Sequence, residues 1–508
     1  MTVPSDLPPS SNVPAQPPLG AQTFRGSWIS VGGQGAQLVV RLASTVVLAR
    51  LLTPNDYGLT AMVTVVTGFV GLFKSLGLAT ATIQAPRLSE RELSGLYWIN
   101  ALIGVVAMLM TLVMAPAMSW FYAEPRVAPL MAGLSVTFLF GGFAVQPAAL
   151  LRRRLRFGSI AAIELAAVAV GAVTAVLAAR AGAGPWALVA GVVSNELSNL
   201  VLVSVVVDWK PMRPSFNTSL GHLLGLGRDL TMFNVLNYWA RNLDNFLIGR
   251  FWGAAELGLY GRAYQLLLLP LQQVTTPLAP VAIAALSRLQ QDGPRFRSAY
   301  VRILEKVSIV CMPLTTFLFF NAREVVALVL GAKWLEVAPI FAALAAAAIV
   351  QPISATFIWL LVSQGRRQEL RQWSVVGSVL SGLAIVAGLK GGAVGVAATY
   401  AACEVLIRFP LLTWLIGRRG AVRAPHVFRA LGPGMAMSAS VAGVSVLLPH
   451  FARATGATGL GESLAASFMA AALTLAAMPS GRRAFNDVLQ AVRAGSPARA
   501  NHAEAVLL

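Results

Sequence analysis

Residues 34–59 read QGAQLVVRLASTVVLARLLTPNDYGL, and residues 234–259 read NVLNYWARNLDNFLIGRFWGAAELGL. At an offset of 200 the two stretches pair Gln34 with Asn234, Gln37 with Asn237, Arg41 with Arg241, Arg50 with Arg250, Gly58 with Gly258 and Leu59 with Leu259. Each places two amides at i and i+3, then an arginine one turn later on roughly the same helical face. A second arginine ends the helix, and Gly-Leu opens the next. Four of the matches in each copy are polar or charged positions in otherwise apolar surroundings, where chance in a Gly/Leu/Arg-rich chain is a poor explanation. The offset has room for six spans. An even number makes both halves enter the membrane from the same side, as in parallel-repeat transporters.

The composition around the repeat agrees. Of 508 residues, 56% are hydrophobic and 12% charged, and mean hydropathy is +0.70. Soluble domains carry about 25% charged residues, so the expected fold is an all-α polytopic membrane protein. The Pro- and Ser-rich residues 1–25 read as a disordered cytoplasmic tail and not as a signal peptide. Apolar segments of about 20 residues then fall near 28–49, 57–83, 94–116, 128–150, 158–179, 185–207, 224–249, 256–285, 302–321, 336–362, 372–389, 391–416, 427–449 and 462–478. The expected organisation is an N-lobe over 26–210, a C-lobe over 211–420, two further helices over 421–480 and a tail over 481–508. The segment 256–285 holds Pro270, Pro277 and Pro280, which membrane helices tolerate when neighbours satisfy the freed carbonyls.

A net charge of +19 would suggest nucleic acid in a soluble chain. Here the basic residues sort by loop, so the partner they imply is lipid and no nucleic acid is expected. One set holds Arg87, Arg91, Arg152, Arg153, Arg154, Arg156, Lys210, Arg213, Arg228, Arg288, Arg295, Arg297, Arg366, Arg367, Arg371, Arg418, Arg419, Arg423 and Arg429, and with Arg302, Lys306 and the tails it reaches about 26. The alternate loops carry Arg50, Arg126, Arg180, Arg250, Arg323, Lys333, Lys390 and Arg453, about 8. The richer side is the expected cytoplasmic one, with both termini on it. Arg152 to Arg156 would also touch anionic lipid. Loops stay below about 25 residues, too short for a soluble catalytic domain, and no GxxxxGK[ST] nucleotide loop occurs. Cys311 and Cys403, and His222, His426, His450 and His502, have no ligand spacing. Neither a metal nor a cofactor is expected.

Residues 48–104, with LARLLTPNDYGLTAM, GLFKSLGLATATIQ and LSGLYWINALIG, resemble the start of the Wzx/WzxC-type polysaccharide flippases. Residues 237–292, with NYWARNLDNFLIGRFWGAAELGLYGRAYQLLLLPLQQVTTPLAP and ALSRLQQD, are similar to that family's second-half pattern. The likeness spans roughly residues 26–420. It implies two six-helix lobes of the MATE-like arrangement around a central cavity, two added C-terminal helices, and an inner-membrane protein that moves an undecaprenyl-diphosphate-linked oligosaccharide by alternating access. It further implies a non-enzyme acting as a monomer, beside a polysaccharide polymerase or assembly proteins. Two rivals share the composition: a membrane glycosyltransferase, polymerase or ligase on the same lipid, which would carry a large outer loop, and a MATE-type drug exporter, which would favour acidic residues.

Charges inside spans are costly and face a bundle interior or wet cavity. The candidates are Arg41, Lys74, Glu164, Glu196, Arg241, Asp244, Arg262, Glu404 and Arg408. A diphosphate is a dense anion that guanidinium forks grip in bidentate fashion, so Arg41, Lys74, Arg241 and Arg262 are the expected substrate-binding residues. The alternatives are local: Asp244 can pair with Arg241 at i,i+3, Glu404 with Arg408 at i,i+4, and Arg262 can snorkel. Glu164 and Glu196, the lone acids of the first half, and Asp244 are the candidates for ion coupling, since a desolvated carboxylate can exchange protons. Hydrogen bonding to Asn195 or Asn199 would instead make the two glutamates structural. Trp28, Trp98, Trp120, Trp209, Trp334 and Trp414 fall near span ends as interface anchors. Tyr57, Tyr238, Trp239, Tyr260 and Tyr264 are candidate glycan contacts or packing residues.

Overall fold

The structure, a computed structural model, describes residues 19–74, 79, 82–83, 88–213, 221–451 and 457–478. Among them there are helices and turns and no strand. The first half comprises α1 (Leu19–Leu51), α2 (Pro54–Lys74), α3 (Glu90–Tyr122), α4 (Val127–Arg153), α5 (Phe157–Arg180) and α6 (Pro185–Val206). The second half opens with α7 (Gly221–Arg288), one helical run broken at Gly253 (φ 83°) into arms at 221–252 and 254–288. It continues with α8 (Gly293–Phe320), the short α9 (Ala322–Val329), a 3₁₀ turn (Ala332–Trp334), α10 (Val337–Ala348), α11 (Gln351–Ser363) and α12 (Arg367–Gly388). Then follow α13 (Gly392–Cys403), a π-turn (Glu404–Arg408), α14 (Phe409–Arg418), α15 (Ala424–Phe451) and α16 (Ala457–Ala477).

Local chemistry accounts for the boundaries. Ser89 and Glu92 form a reciprocal capping box at the start of α3, whose end is closed by Ala123 in the left-handed region. Thr53 and Asp56 do the same for α2, the Thr53 amide donating to Asp56 Oδ2 at 2.9 Å and the Asp56 amide to Thr53 Oγ1 at 3.3 Å. Asp292 caps α8 through the Arg295 amide. The three prolines of α7 do not end it; the run continues to Arg288. α1 opens at Leu19, inside the segment read as a tail, and residues 1–18 and 479–508 lie outside the described residues.

Among the described residues, ten helical stretches are long and apolar enough to cross a bilayer. Asn242–Arg288 and Arg367–Arg418, at 47 and 52 residues, exceed a single crossing of about 20. The stretches do not establish the expected count of fourteen spans, although the polytopic helical class stands. Valines and leucines on the outer faces are widely exposed (Val113 78%, Val205 77%, Leu406 72%), a surface that suits hydrocarbon and not water.

Helix pairs approach through small residues. Gly104 of α3 lies on Gly142 of α4, and Gly171 of α5 on Gly191 of α6, since such positions let backbones close without a hydrophobic force between helices. Within the first half α1 packs on α5, α3 on α4 and α5 on α6; within the second, α12 packs on α13, and α8 also packs on α15 of the following segment. The halves meet where α2 runs along α7. Contacts between helix ends join loops of one charge class. Arg156 reaches the Val206 carbonyl, Trp209 the Glu90 carboxylate, Trp98 the Met212 carbonyl, and Arg297 the Ala421 carbonyl, all on the arginine-rich face. Trp252 reaches the Leu389 carbonyl, and Glu256 the Ala393 amide, on the arginine-poor face.

Candidate translocation site between the two halves

The repeat meets itself. At Gly58 a Cβ would overlap the carbonyl of Ala254, and at Gly258 a Cβ would overlap the carbonyl of Pro54. Residues 54 and 254 are themselves equivalent at the offset of 200, so the contact is reciprocal about a pseudo-two-fold axis. Leu59 and Leu259 are both buried beneath it. The crossing closes the arginine-poor face between the first turn of α2 and the second arm of α7.

Below this contact runs one stripe of α1. Gln37, Arg41 and Thr45 succeed each other at i+4 on one face. The Gln37 amide donates to Glu164 Oε2 of α5 at 3.2 Å, and Arg152 stands 3.9 Å from the same carboxylate. Thr45, with Leu42 and Val46, lines a void of about 20 Å³ against Arg262, Gln265, Leu266 and Leu269 of α7, little more than the volume that holds one water. Arg41 lies between these two contacts. It is exposed, and its guanidinium has no side-chain partner among the described residues.

Arg262 does not snorkel. Its guanidinium lies 3.7 Å from the centroid of the Tyr57 ring, a cation–π geometry, and Tyr57 packs edge-on against Trp334 at 5.5 Å. The expected placing of Trp334 at an interface is overturned: the side chain is fully buried, and its indole donates to the Ala49 carbonyl at 2.7 Å. The apolar neighbours that α1 and α2 bring from the other half bury it, which a position near a span end does not reveal.

Glu164 has Gln37 and Arg152 as neighbours in place of Asn195 or Asn199. Glu196, half-buried on α6, has no side-chain partner among the described residues. Asp244 accepts from the Tyr260 hydroxyl at 2.8 Å and from the Asn245 amide at 2.8 Å. Tyr57 and Tyr260 are buried, at 4% and 2% exposure, so in this arrangement both are packing residues. Tyr264 and Trp239 are partly exposed, and the Tyr238 hydroxyl donates to the Val65 carbonyl. The side chains of Lys74 and Arg241 lie outside the described residues, and with them the expected Arg241–Asp244 pair.

Glu404 and Arg408 form the expected ion pair, within a π-turn. Ser354 Oγ lies 3.5 Å from Glu404, the Tyr400 hydroxyl 3.5 Å from Arg408, and Gln351 donates to Tyr400 at 3.2 Å. Trp373 lies 5.7 Å from the guanidinium. This cluster and the Asp244–Tyr260 bond were missed as units by sequence reasoning, although Tyr260 and Tyr264 at i,i+4 hinted at a polar face on α7. No group of three or more metal-ligating side chains occurs among the described residues.

The reciprocal crossing thus joins two stretches of a polytopic helical membrane protein that match at an offset of 200. Residues 47–339 match the family described as "Polysaccharide biosynthesis protein", and the chain belongs to that family. It is 26% identical over 372 residues to the lipopolysaccharide biosynthesis protein WzxC of Escherichia coli (strain K12), covering 72% of this chain and 75% of that one. It is 25% identical to the teichuronic acid biosynthesis protein TuaB of Bacillus subtilis (strain 168) over 86% of this chain and 91% of that one. In fold it is similar to a structure of the lipid II flippase MurJ in an inward closed conformation, at a TM-score of 0.70 and 12% identity, covering 88% of this chain and 97% of that one.

Proposed function

We propose that the protein is a flippase for a polyprenyl-diphosphate-linked oligosaccharide in the bacterial inner membrane, working by alternating access and not by catalysis. The arginine-rich face is the cytoplasmic one. The sugar–diphosphate head enters from that side while the polyprenyl tail stays in lipid, and the halves then part at the arginine-poor face to release it. A polar route is needed because stripping sugar hydroxyls and a diphosphate of hydrogen bonds costs several kcal/mol per group, on the order of 2–7.

The observation that carries this reading is the uncovered Arg41 guanidinium on α1, on the same helical face as Thr45, which lines the void against Arg262 of the other half. In this reading Arg41, Lys74, Arg241 and Arg262 receive the diphosphate or acidic sugars. Arg262 does so after leaving Tyr57. Glu164, Glu196 and Asp244 are the groups for coupling to an ion gradient. The names of the relatives support a role in polysaccharide assembly, and that of the structural neighbour supports flipping of a lipid carrier. Reconstitution in liposomes with a fluorescent polyprenyl-diphosphate oligosaccharide tests the proposal. The expected result is delivery of unmodified substrate to the opposite leaflet; a new glycosidic bond in the product would replace flipping with an enzyme.

A further inference from the structure

The geometry points to a lock between the two halves, in which Lys333 and Trp334 of the second half cap the end of α1 and hold the arginine-poor face closed. The inference rests on the alternating-access reading for its purpose, but not for its contacts. α1 ends at Leu51, so its last carbonyls have no helical partners. Lys333 Nζ donates to the carbonyls of Arg50 at 2.9 Å and Leu52 at 2.6 Å, and Trp334 Nε1 donates to that of Ala49 at 2.7 Å. Two side chains from the other half thus make three hydrogen bonds to carbonyls at and just beyond the terminus, and an ammonium suits the negative end of the helix dipole. Asp56, at the start of α2, adds a favourable charge to Lys333, while partial burial pulls the ammonium's proton affinity down.

The turn is built to present both side chains. Gly331, at φ 100°, breaks the chain after α9, and the 3₁₀ turn Ala332–Trp334 follows at once. Trp334 is fully buried against Tyr57, whose ring also lies beneath Arg262. Parting the halves strips these carbonyls of their donors and withdraws the indole from its pocket. Neither change is needed for any single helix to fold. Lys333 and Trp334 are therefore positioning residues that set the ratio of closed to open protein, and Arg262 braces the lock through Tyr57.

Spin labels test this in nanodiscs without ligand. Ala181→Cys in the first half and Glu324→Cys in the second are exposed on the arginine-poor face, and both native cysteines are buried away from label. Lys333→Ala should raise the share of long distances about tenfold, as loss of charge-assisted bonds implies. Trp334→Phe should raise it less, and Lys333→Arg, which still donates, should restore the parent distribution. A merely structural cap would lower the melting temperature in Lys333→Ala and leave the distances of the folded fraction unchanged, and that result would overturn the lock. Because no substrate is added, failure here removes the lock alone, whereas failure of liposome flipping removes the proposed substrate alone.

Discussion

The two halves share one repeat and treat the charges of their helices differently. In the first, Arg41 is exposed and unpaired among the described residues, and the acid nearest its stripe, Glu164, is already shared by Gln37 and Arg152. In the second, Glu404 and Arg408 neutralise each other within a cluster of Ser354, Tyr400, Gln351 and Trp373, and Asp244 is held by Tyr260. The two halves share the frame that brings Gly58 and Gly258 together, while the partners of the described charges differ. One half keeps a cation uncovered and the other buries an ion pair. A π-turn at Glu404–Arg408 marks that half further, and such turns often accompany functional positions.

The contrast can be broken from either side. Its sharpest test is Glu404→Ala, which leaves the Arg408 guanidinium without its carboxylate in a low-dielectric interior. We expect a loss of about 3–5 kcal/mol, read as a fall in melting temperature in detergent, with the double variant Glu404→Ala/Arg408→Ala recovering part of it. Arg41→Ala should change stability by less than about 0.5 kcal/mol and lower lipid-linked sugar flipping at least about a hundredfold, or about 2.7 kcal/mol of barrier. Normal flipping by Arg41→Ala would remove the functional half of the comparison. Gly258→Ala drives a methyl into the Pro54 carbonyl and should cost about 1–3 kcal/mol. Gly58→Ala should match it, because the contact is reciprocal; unequal costs would show that the halves are less alike at the crossing than their sequences.

The smallest effect belongs to a pair outside the spans. The Arg126 side chain, bonded to Glu124 at 2.8 Å, holds that carboxyl below its ordinary 4.5. A depressed folded value means that the stabilisation is complete above the unfolded value and fades as pH falls through the folded one. The pair is partly exposed and screened, so the contribution is about 0.2–1 kcal/mol. A melting-temperature series from pH 6 down to about 3 should show a slope that Glu124→Gln reduces.

Much of the molecule was legible in its amino acids. The offset of 200 that pairs Gly58 with Gly258 was legible as a repeat, while the contact between the two glycines came only with the packed structure. The Glu404–Arg408 pair followed from spacing on one helix. Trp334 was misread, because aromatic residues at span ends serve as anchors in most helices, and nothing local records that another half will cover this one. The partners of Glu164 were hidden for the same reason: Gln37 and Arg152 come from α1 and α4.

Periodicity, apolar run length and the sorting of arginines between alternate loops follow from interactions with solvent and bilayer, which each residue meets one at a time. They determined the helical class, the repeat and the sorting of the basic residues into two sets of loops. Which cation stays uncovered, which acid is shared, and which loop caps α1 depend on side chains far apart in the chain arriving within 3 or 4 Å of each other. Short-range forces such as hydrogen bonds and ring contacts act only after the helices have packed, so the fold alone decided them.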